Sequence, residues 1–339
     1  MNSKVQERLG RLASHLNAPD QILNSHLPNV AQCDKDSINT EPTWSTSTST
    51  TNHGCYNYEP GRLLLNQVAI ITGAGSGIGR AAAILFAHHG AYVCVSDLDA
   101  AAAEATADFI RNSAGDRCIT VVGDVTAEDF PQRCVDATVK AFGGALHILV
   151  CNAGFTWDGV VHKMKPKQWD MMLNVHCTAP FRLIQAAAPF MRDAAKTEIA
   201  AKGRAHPRSI LTVSSVSGVH GNSGQSNYAT AKAGIVGLTK TVAKEWGAFN
   251  IRANSLVYGH INTRLVQDKE KGASISVDGE KITLGIPQAD ATAGLMQQMS
   301  ALGRVGTAEE AAGAMLLLAC PYASYITGQA IEVTGGGWM

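Results

Sequence analysis

Charge is scarce and balanced in this 339-residue chain: Lys plus Arg number 28, Asp plus Glu number 28, and together they are 17% of the residues. With no net charge there is no electrostatic footprint for nucleic acid or for an anionic membrane, and neither is expected as a partner. Aromatic residues are few, at 6%. No apolar run is long enough to span a bilayer and none reads as a secretory signal, so the chain is expected to be soluble. The eight cysteines, at positions 33, 55, 94, 118, 134, 151, 177 and 320, include no C-x-x-C, and the eleven histidines show no metal-ligand spacing. No metal is expected. Cysteines inside apolar strand-like runs read as small hydrophobes in a reducing compartment. What is present is a 45% hydrophobic chain, ample for a core, whose substrate is expected to be a small or carrier-bound molecule.

Residues 1–60 differ from the rest. From Cys33 to His53 the chain is Ser, Thr, Asn and Asp with few large apolar residues, too little to offset the entropy of ordering, and a flexible linker is expected. Before it, Val5, Leu9, Leu12 and Leu16 recur at helical spacing among Lys4, Arg8 and Arg11, an amphipathic pattern. Within that pattern, Arg8-Leu9, five residues and His15-Leu16 resemble the amino-terminal address for peroxisomes. A mitochondrial presequence, which Glu7 and Asp20 oppose, and an untargeted cytoplasmic terminus are the alternatives.

The globular part is expected over 61–339. Val68 to Ile71 is all apolar, the mark of a buried parallel strand, and leads into Thr72-Gly73-Ala74-Gly75-Ser76-Gly77-Ile78-Gly79 and the helical AAAILFA. Strand, glycine turn and helix form the arrangement that meets a dinucleotide diphosphate, with backbone N–H groups and the positive helix end facing the anion. The next strand, Ala91 to Ser96, ends at Asp97. A carboxylate there accepts the ribose hydroxyls and repels a 2′-phosphate, which predicts NAD(H) over NADP(H); Arg80 is a possible counterweight that leaves NADP open.

The stretch Ser215 to Lys232 carries the chemistry. Tyr228 and Lys232 are four apart, on one face of a helix, and a cation beside a phenol favours the phenolate. Ser215 lies thirteen residues before Tyr228, where a strand would end, placed to hold a carbonyl oxygen. A surface Tyr-xxx-Lys pair without function has the same spacing. The string SS-x-SG-xx-GN-x-GQ-x-NY-x-x-AK, however, resembles the active-site segment of the short-chain dehydrogenases/reductases, particularly the beta-ketoacyl carrier-protein reductases. The glycine loop is similar to that family's T-G-xxx-G-x-G.

The resemblance implies roles position by position. Ser215 orients the carbonyl, Tyr228 is the acid/base, and Lys232 lowers the Tyr228 pKa and binds ribose; Ser214 and Ser217 are neighbours, and the spacing selects Ser215. Gly73, Ser76, Gly77, Ile78 and Gly79 face the diphosphate. Asp124-Val125 match the adenine-side pair, and Cys151-Asn152-Ala153-Gly154 match an Asn-Asn-Ala-Gly whose first residue is here Cys. On a long helix expected from about Pro166 to Met191, with Trp169, Met172, Val175, Pro180, Phe181 and Ile184 forming much of its apolar surface, the family's relay Asn is replaced by His176. A core His held by backbone is the ordinary alternative. His at this place resembles the dehydrogenase unit of the peroxisomal multifunctional beta-oxidation enzymes. Tyr258-Gly259 stands for a Pro-Gly pair, Thr263 is placed to reach the nicotinamide carboxamide, and 265–303 corresponds to a substrate lid. Residues 193–207 read as a surface excursion.

Together these imply one doubly wound parallel α/β domain of the Rossmann type, with about seven strands. The implied reaction is NAD-linked hydride transfer at the 3-hydroxy/3-oxo position of a fatty-acyl thioester. A dehydrogenase of steroids or other secondary alcohols is the alternative, and an inactive cofactor-binding partner subunit a third. Homodimers or homotetramers are implied by the family's pairing of its two long helices.

Overall fold

The computed structural model describes residues 61–267, 274–277, 280–285 and 297–338. The amphipathic segment with its peroxisomal pattern, the 33–53 linker, and 268–273, 278–279 and 286–296 of the expected lid lie outside the described residues.

Apolar residues follow one another without alternation in the central strands because both faces are covered. In β1 (Val68–Thr72) all five residues are buried. Ala69 and Ile71 join one apolar cluster while Val68 and Ile70 join another on the opposite face. The same division recurs in β2 (Tyr92–Asp97), where Val93 and Val95 face one way and Cys94 the other. With β3 (Cys118–Val122), β4 (Ile148–Cys151), β5 (Arg208–Ser215), β6 (Ile251–Tyr258) and β9 (Ala330–Val333), they form a seven-stranded sheet in the order β3-β2-β1-β4-β5-β6-β9. Every pairing in it is parallel. The chain builds outwards from β1 in one direction and from β4 in the other. The crevice at the carboxyl ends of these two strands is therefore where a ligand is held in a doubly wound sheet.

Helices α1 (Gly77–His88) and α2 (Ala100–Ala114) follow β1 and β2, and α3 (Phe130–Ala141) follows β3. After β4 a helical stretch, α4, runs over 166–202 and corrects the boundary expected at Met191. Residues 193–202 belong to this helix instead of a surface excursion, and it ends at Gly203, φ +73°, whose N–H donates to the Ile199 carbonyl. Two π-turns interrupt it, Asn174–Thr178 and Pro189–Asp193. A proline stands at each: Pro180, just past the first, has no N–H for the His176 carbonyl four residues back, and Pro189, which has none for Gln185, opens the second. Met172, Val175 and Ile184 face inwards as expected, but Trp169 and Phe181 turn out, 37% and 48% exposed. A short helix, α5 (Val216–His220), and the long α6 (Ser226–Trp246) follow β5, and α7 (Ala308–Ala319) precedes β9.

Between β6 and α7, where the sequence suggested only a lid, β7 (Ser274–Val277) and β8 (Glu280–Thr283) form an antiparallel pair. The signal was present in the sequence, as Asp278-Gly279 between two runs of alternating apolar and polar residues. No helix among the described residues is long and apolar enough to cross a membrane.

Candidate active site

The carboxyl ends of β1, β4, β5 and β6 open into one cleft of about 300 Å³. Gly73, Ser76, Gly77, Ile78, Gly79, Asp97, Asp124, Val125, Asn152, Ala153, Gly154 and Thr263 all line it, as do Ser215, Tyr228, Lys232 and His176. The fold thus gathers every expected site residue along one surface.

At one end, β1 passes into α1 through the glycine turn. A Cβ on Gly79 would sit 2.1 Å from the Gly73 carbonyl oxygen and 2.5 Å from Asn152 Nδ2, so only glycine lets the turn fold this tightly. Asn152 Nδ2 donates to the Thr72 carbonyl at 2.9 Å, and the Asn152 and Ala153 N–H groups both donate to Thr72 Oγ1 at 3.1 Å, which locks β4 to β1. Ser76 caps α1 with no side-chain hydrogen bond, and no acidic residue lies in the first turn. The first amides of α1 therefore remain unclaimed by an internal anion, a cradle that fits a diphosphate. Asp97 ends β2 with its carboxylate buried, accepting from the Gly75 N–H at 2.8 Å and the Asp99 N–H at 3.0 Å. Each oxygen keeps a lone pair for a ribose hydroxyl. Arg80 is turned elsewhere, its guanidinium 5.4 Å from the centre of the Phe109 ring. Asp124 Oδ1 accepts from the N–H and hydroxyl of Thr126, both at 2.8 Å, which fixes the turn after β3.

At the other end, β5 and the start of α5 bring three serines whose partners separate them. Ser214 Oγ donates to the Lys232 carbonyl at 2.6 Å, and Ser217 Oγ donates to Gln225 Oε1 at 3.0 Å. Ser215 Oγ accepts from the Ser217 N–H at 3.2 Å and stands beside the Tyr228 hydroxyl, whose pKa it lowers. Lys232 Nζ donates to the Val213 carbonyl at 2.7 Å and lies 5.5 Å from the centre of the Tyr228 ring. Lysine and tyrosine do share a helix face, but the ammonium does not win in the protein alone. Burial pushes the Tyr228 phenol up to about 12, with the Ser215 hydrogen bond pulling it back and Asp158 adding to the rise. Burial also brings Lys232 down to about 7. Without a bound cofactor the phenol at neutral pH is therefore in its proton-donating form. A bound nicotinamide supplies the hydride and, when oxidised, a positive charge.

His176 is buried in the first π-turn. Its Nε2 lies 2.8 Å from the Phe155 carbonyl oxygen, so Nε2 carries the proton and Nδ1 is an acceptor with no partner in the protein. The ring meets Tyr228 edge-on, centroids 5.1 Å apart, and burial beside Lys232 holds its pKa well below the ordinary value. Gly154 is glycine for this reason, since a Cβ there would lie 2.3 Å from His176 Cε1. The other departures from the family pattern are structural. Cys151 is buried at the end of β4 with its thiol pushed up to about 12, and the Tyr258 hydroxyl donates to the Ala311 carbonyl at 2.8 Å.

Sequence reasoning had no roles for Asn222, Gln225 and Asn227, although they stand in the quoted string. Asn227 Nδ2 donates to the Trp157 and Gln168 carbonyls, both at 3.0 Å, and so ties the active-site helix to α4. Gln225 Nε2 donates to the Asp158 carboxylate at 3.2 and 3.3 Å, and Asn222 Nδ2 donates to Gln225 Oε1 at 3.0 Å. These side chains build a polar wall beside Tyr228. Among the described residues no group of His, Cys, Asp or Glu is placed to hold a metal ion.

A family model described as Enoyl-(Acyl carrier protein) reductase matches residues 73–337. A 3-oxoacyl-(acyl-carrier-protein) reductase of Thermotoga maritima is 35% identical over 275 residues, 80% of this chain and 98% of that protein. A (3R)-3-hydroxyacyl-CoA dehydrogenase of Rattus norvegicus is 33% identical over 282 residues, 81% of this chain and 98% of that protein. A short-chain type dehydrogenase/reductase from Mycobacterium marinum superposes with a TM-score of 0.68 at 30% identity, over 80% of this chain and 96% of its own. With the fold, the glycine cradle and the Ser215, Tyr228 and Lys232 cluster in place, the chain belongs to the short-chain dehydrogenase/reductase family and is an NAD(P)-dependent oxidoreductase acting on CH–OH groups.

Proposed function

We propose that the protein transfers hydride reversibly between NAD(H) and C3 of a fatty-acyl thioester, interconverting 3-oxoacyl and 3-hydroxyacyl groups. The observation that carries this reading is the surroundings of Tyr228: the phenol packs against the Phe155, Met172 and Val175 cluster in a cleft also lined by Ser215, Asp158, Asn222 and Gln225, suited to a carbonyl flanked by a thioester arm and a hydrocarbon tail. The names of the Thermotoga and Rattus relatives support it. In the reductive direction hydride adds to C3, the carbonyl π pair moves to oxygen, and that oxygen takes the Tyr228 proton while Ser215 donates to it. Lys232 stabilises the phenolate so formed and holds the ribose. His176, fixed as the Nε2–H tautomer, keeps the Tyr228 ring in place and offers Nδ1 to a water that returns the proton. Asp97, with Arg80 engaged on Phe109, favours NAD(H) over NADP(H).

The Arg8-Leu9 to His15-Leu16 pattern supports a peroxisomal location, and the outward-facing Trp169 and Phe181 on α4 support a homodimer or homotetramer. The test is a substrate panel with NADH: acetoacetyl-CoA, 3-oxodecanoyl-CoA and a steroid ketone. Turnover of the thioesters with kcat/KM at least tenfold above the steroid is expected. The reverse order would replace the acyl reading by the secondary-alcohol one.

A further inference from the structure

The loop after β4 meets the segment that leads into α6. The Gly159 N–H donates to the Gly224 carbonyl at 2.8 Å, and Gly159 and Gln225 form an isolated parallel bridge. Gln168 Nε2 donates to the Asp158 carbonyl at 3.2 Å. These contacts use the backbone of the loop, so they fix where Asp158 and Gln225 stand and leave the Asp158 carboxylate for another task. Both residues line the cleft that holds Ser215 and Tyr228.

From that carboxylate a run of hydrogen bonds leads to the catalytic serine. Asp158 accepts from Gln225 Nε2, at 3.2 Å on one oxygen and 3.3 Å on the other. A carboxylate only accepts, so the amide nitrogen of Gln225 is drawn to it and Oε1 is turned away. Oε1 in turn accepts from Ser217 Oγ and Asn222 Nδ2, each at 3.0 Å. With its hydroxyl proton committed to Gln225, Ser217 meets Ser215 through its backbone N–H, 3.2 Å from Ser215 Oγ. Ser215 Oγ therefore receives one hydrogen bond and keeps its own proton for a carbonyl oxygen in front of Tyr228. We infer that Asp158 is a positioning residue, which sets Ser215 as a donor to the substrate oxygen through Gln225 and Ser217. The Asp158 side chain belongs to an exposed residue, so solvent screens its charge, and the bonded route to Ser215 outweighs a direct effect on the phenol. The other titratable groups facing that phenol are Lys232 on its own helix and His176 on α4. The inference concerns ketone reduction as such and does not depend on the acyl reading.

Paired substitutions separate this role from a merely structural one. The measurement is single-turnover oxidation of bound NADH by acetoacetyl-CoA or, where that is not reduced, by a steroid ketone. Asp158→Leu is expected to lower the rate about tenfold, within what a small misplacement beside the reacting atoms costs. Asp158→Asn is expected to stay within about threefold of the parent, because its Oδ1 still accepts from Gln225. Ser215→Ala itself costs about 10²-fold, as loss of one oxyanion donor does, and in that background Asp158→Leu is expected to cost less than about twofold more. NADH affinity close to the parent value, from fluorescence titration, shows that each variant is folded. A tenfold loss in both backgrounds overturns the inference, as does a parental rate in Asp158→Leu. Equal losses in Asp158→Asn and Asp158→Leu, with the alkaline limb of the pH–rate profile moved to lower pH in both, would assign Asp158 a charge effect on Tyr228 and overturn it as well.

Discussion

Replacement of Tyr228 by Phe is expected to lower kcat by about 10²–10⁴-fold, the range a positioned general acid contributes, while NADH binding survives. The substitution removes one oxygen. The ring, which meets His176 edge-on and packs with the Phe155 and Met172 cluster, is retained. Loss of the hydroxyl leaves the Ser215 hydroxyl as the donor to the developing oxyanion, and nothing in the cleft replaces the transferred proton. A serine hydroxyl is far too weak an acid to serve. The measurement is single-turnover oxidation of bound NADH at 340 nm, about the wavelength of reduced nicotinamide absorption, with NADH affinity from fluorescence titration. A Phe variant within threefold of the parent rate would remove Tyr228 from the mechanism and direct attention to Lys232, whose ammonium burial already brings to about 7.

Asp97→Asn is expected to raise the ratio of kcat/KM for NADPH to that for NADH by about 100-fold. Two unit charges about 5 Å apart at an effective dielectric near 20 repel by about 3 kcal/mol, and a 2′-phosphate carries at least one. Asparagine removes the charge but keeps a carbonyl oxygen for one of the two N–H groups, of Gly75 and Asp99, that now converge on the carboxylate. Loosening of the turn weakens both cofactors alike, so the ratio isolates the charge. An unchanged ratio would show that the preference comes from elsewhere in the cleft, with Arg80 the first residue to test.

Most of the fold was legible because its signals are local. A buried parallel strand needs a short apolar run, a diphosphate cradle needs glycines in a fixed order, and both occur within Val68 to Gly79. The site was legible for the same reason, since Tyr228 and Lys232 lie on one helix turn and Ser215 ends the strand before it. What was missed depends on contacts between distant segments. The spacing that puts Lys232 beside Tyr228 does not reveal that both are buried, and burial decides their protonation. Nor does the string containing Asn227 show that its amide reaches the Trp157 and Gln168 carbonyls. The end of α4 was misplaced because 193–207, rich in Ala, Lys and Arg, reads as a surface excursion, whereas the helix runs on through the second π-turn to Lys202. The β7–β8 hairpin was legible from Asp278-Gly279 and its alternating flanks, but the family's lid at that place supplied a competing reading.

Hydride transfer from nicotinamide to acyl C3 is measured most directly with NADH deuterated at the transferring C4 position, acetoacetyl-CoA and purified protein, by mass spectrometry of the product. The account predicts 3-hydroxybutyryl-CoA carrying one deuterium at C3, formed by the parent and not by Tyr228→Phe. Product without deuterium, or none from any 3-oxoacyl thioester while a steroid ketone is reduced, would contradict it.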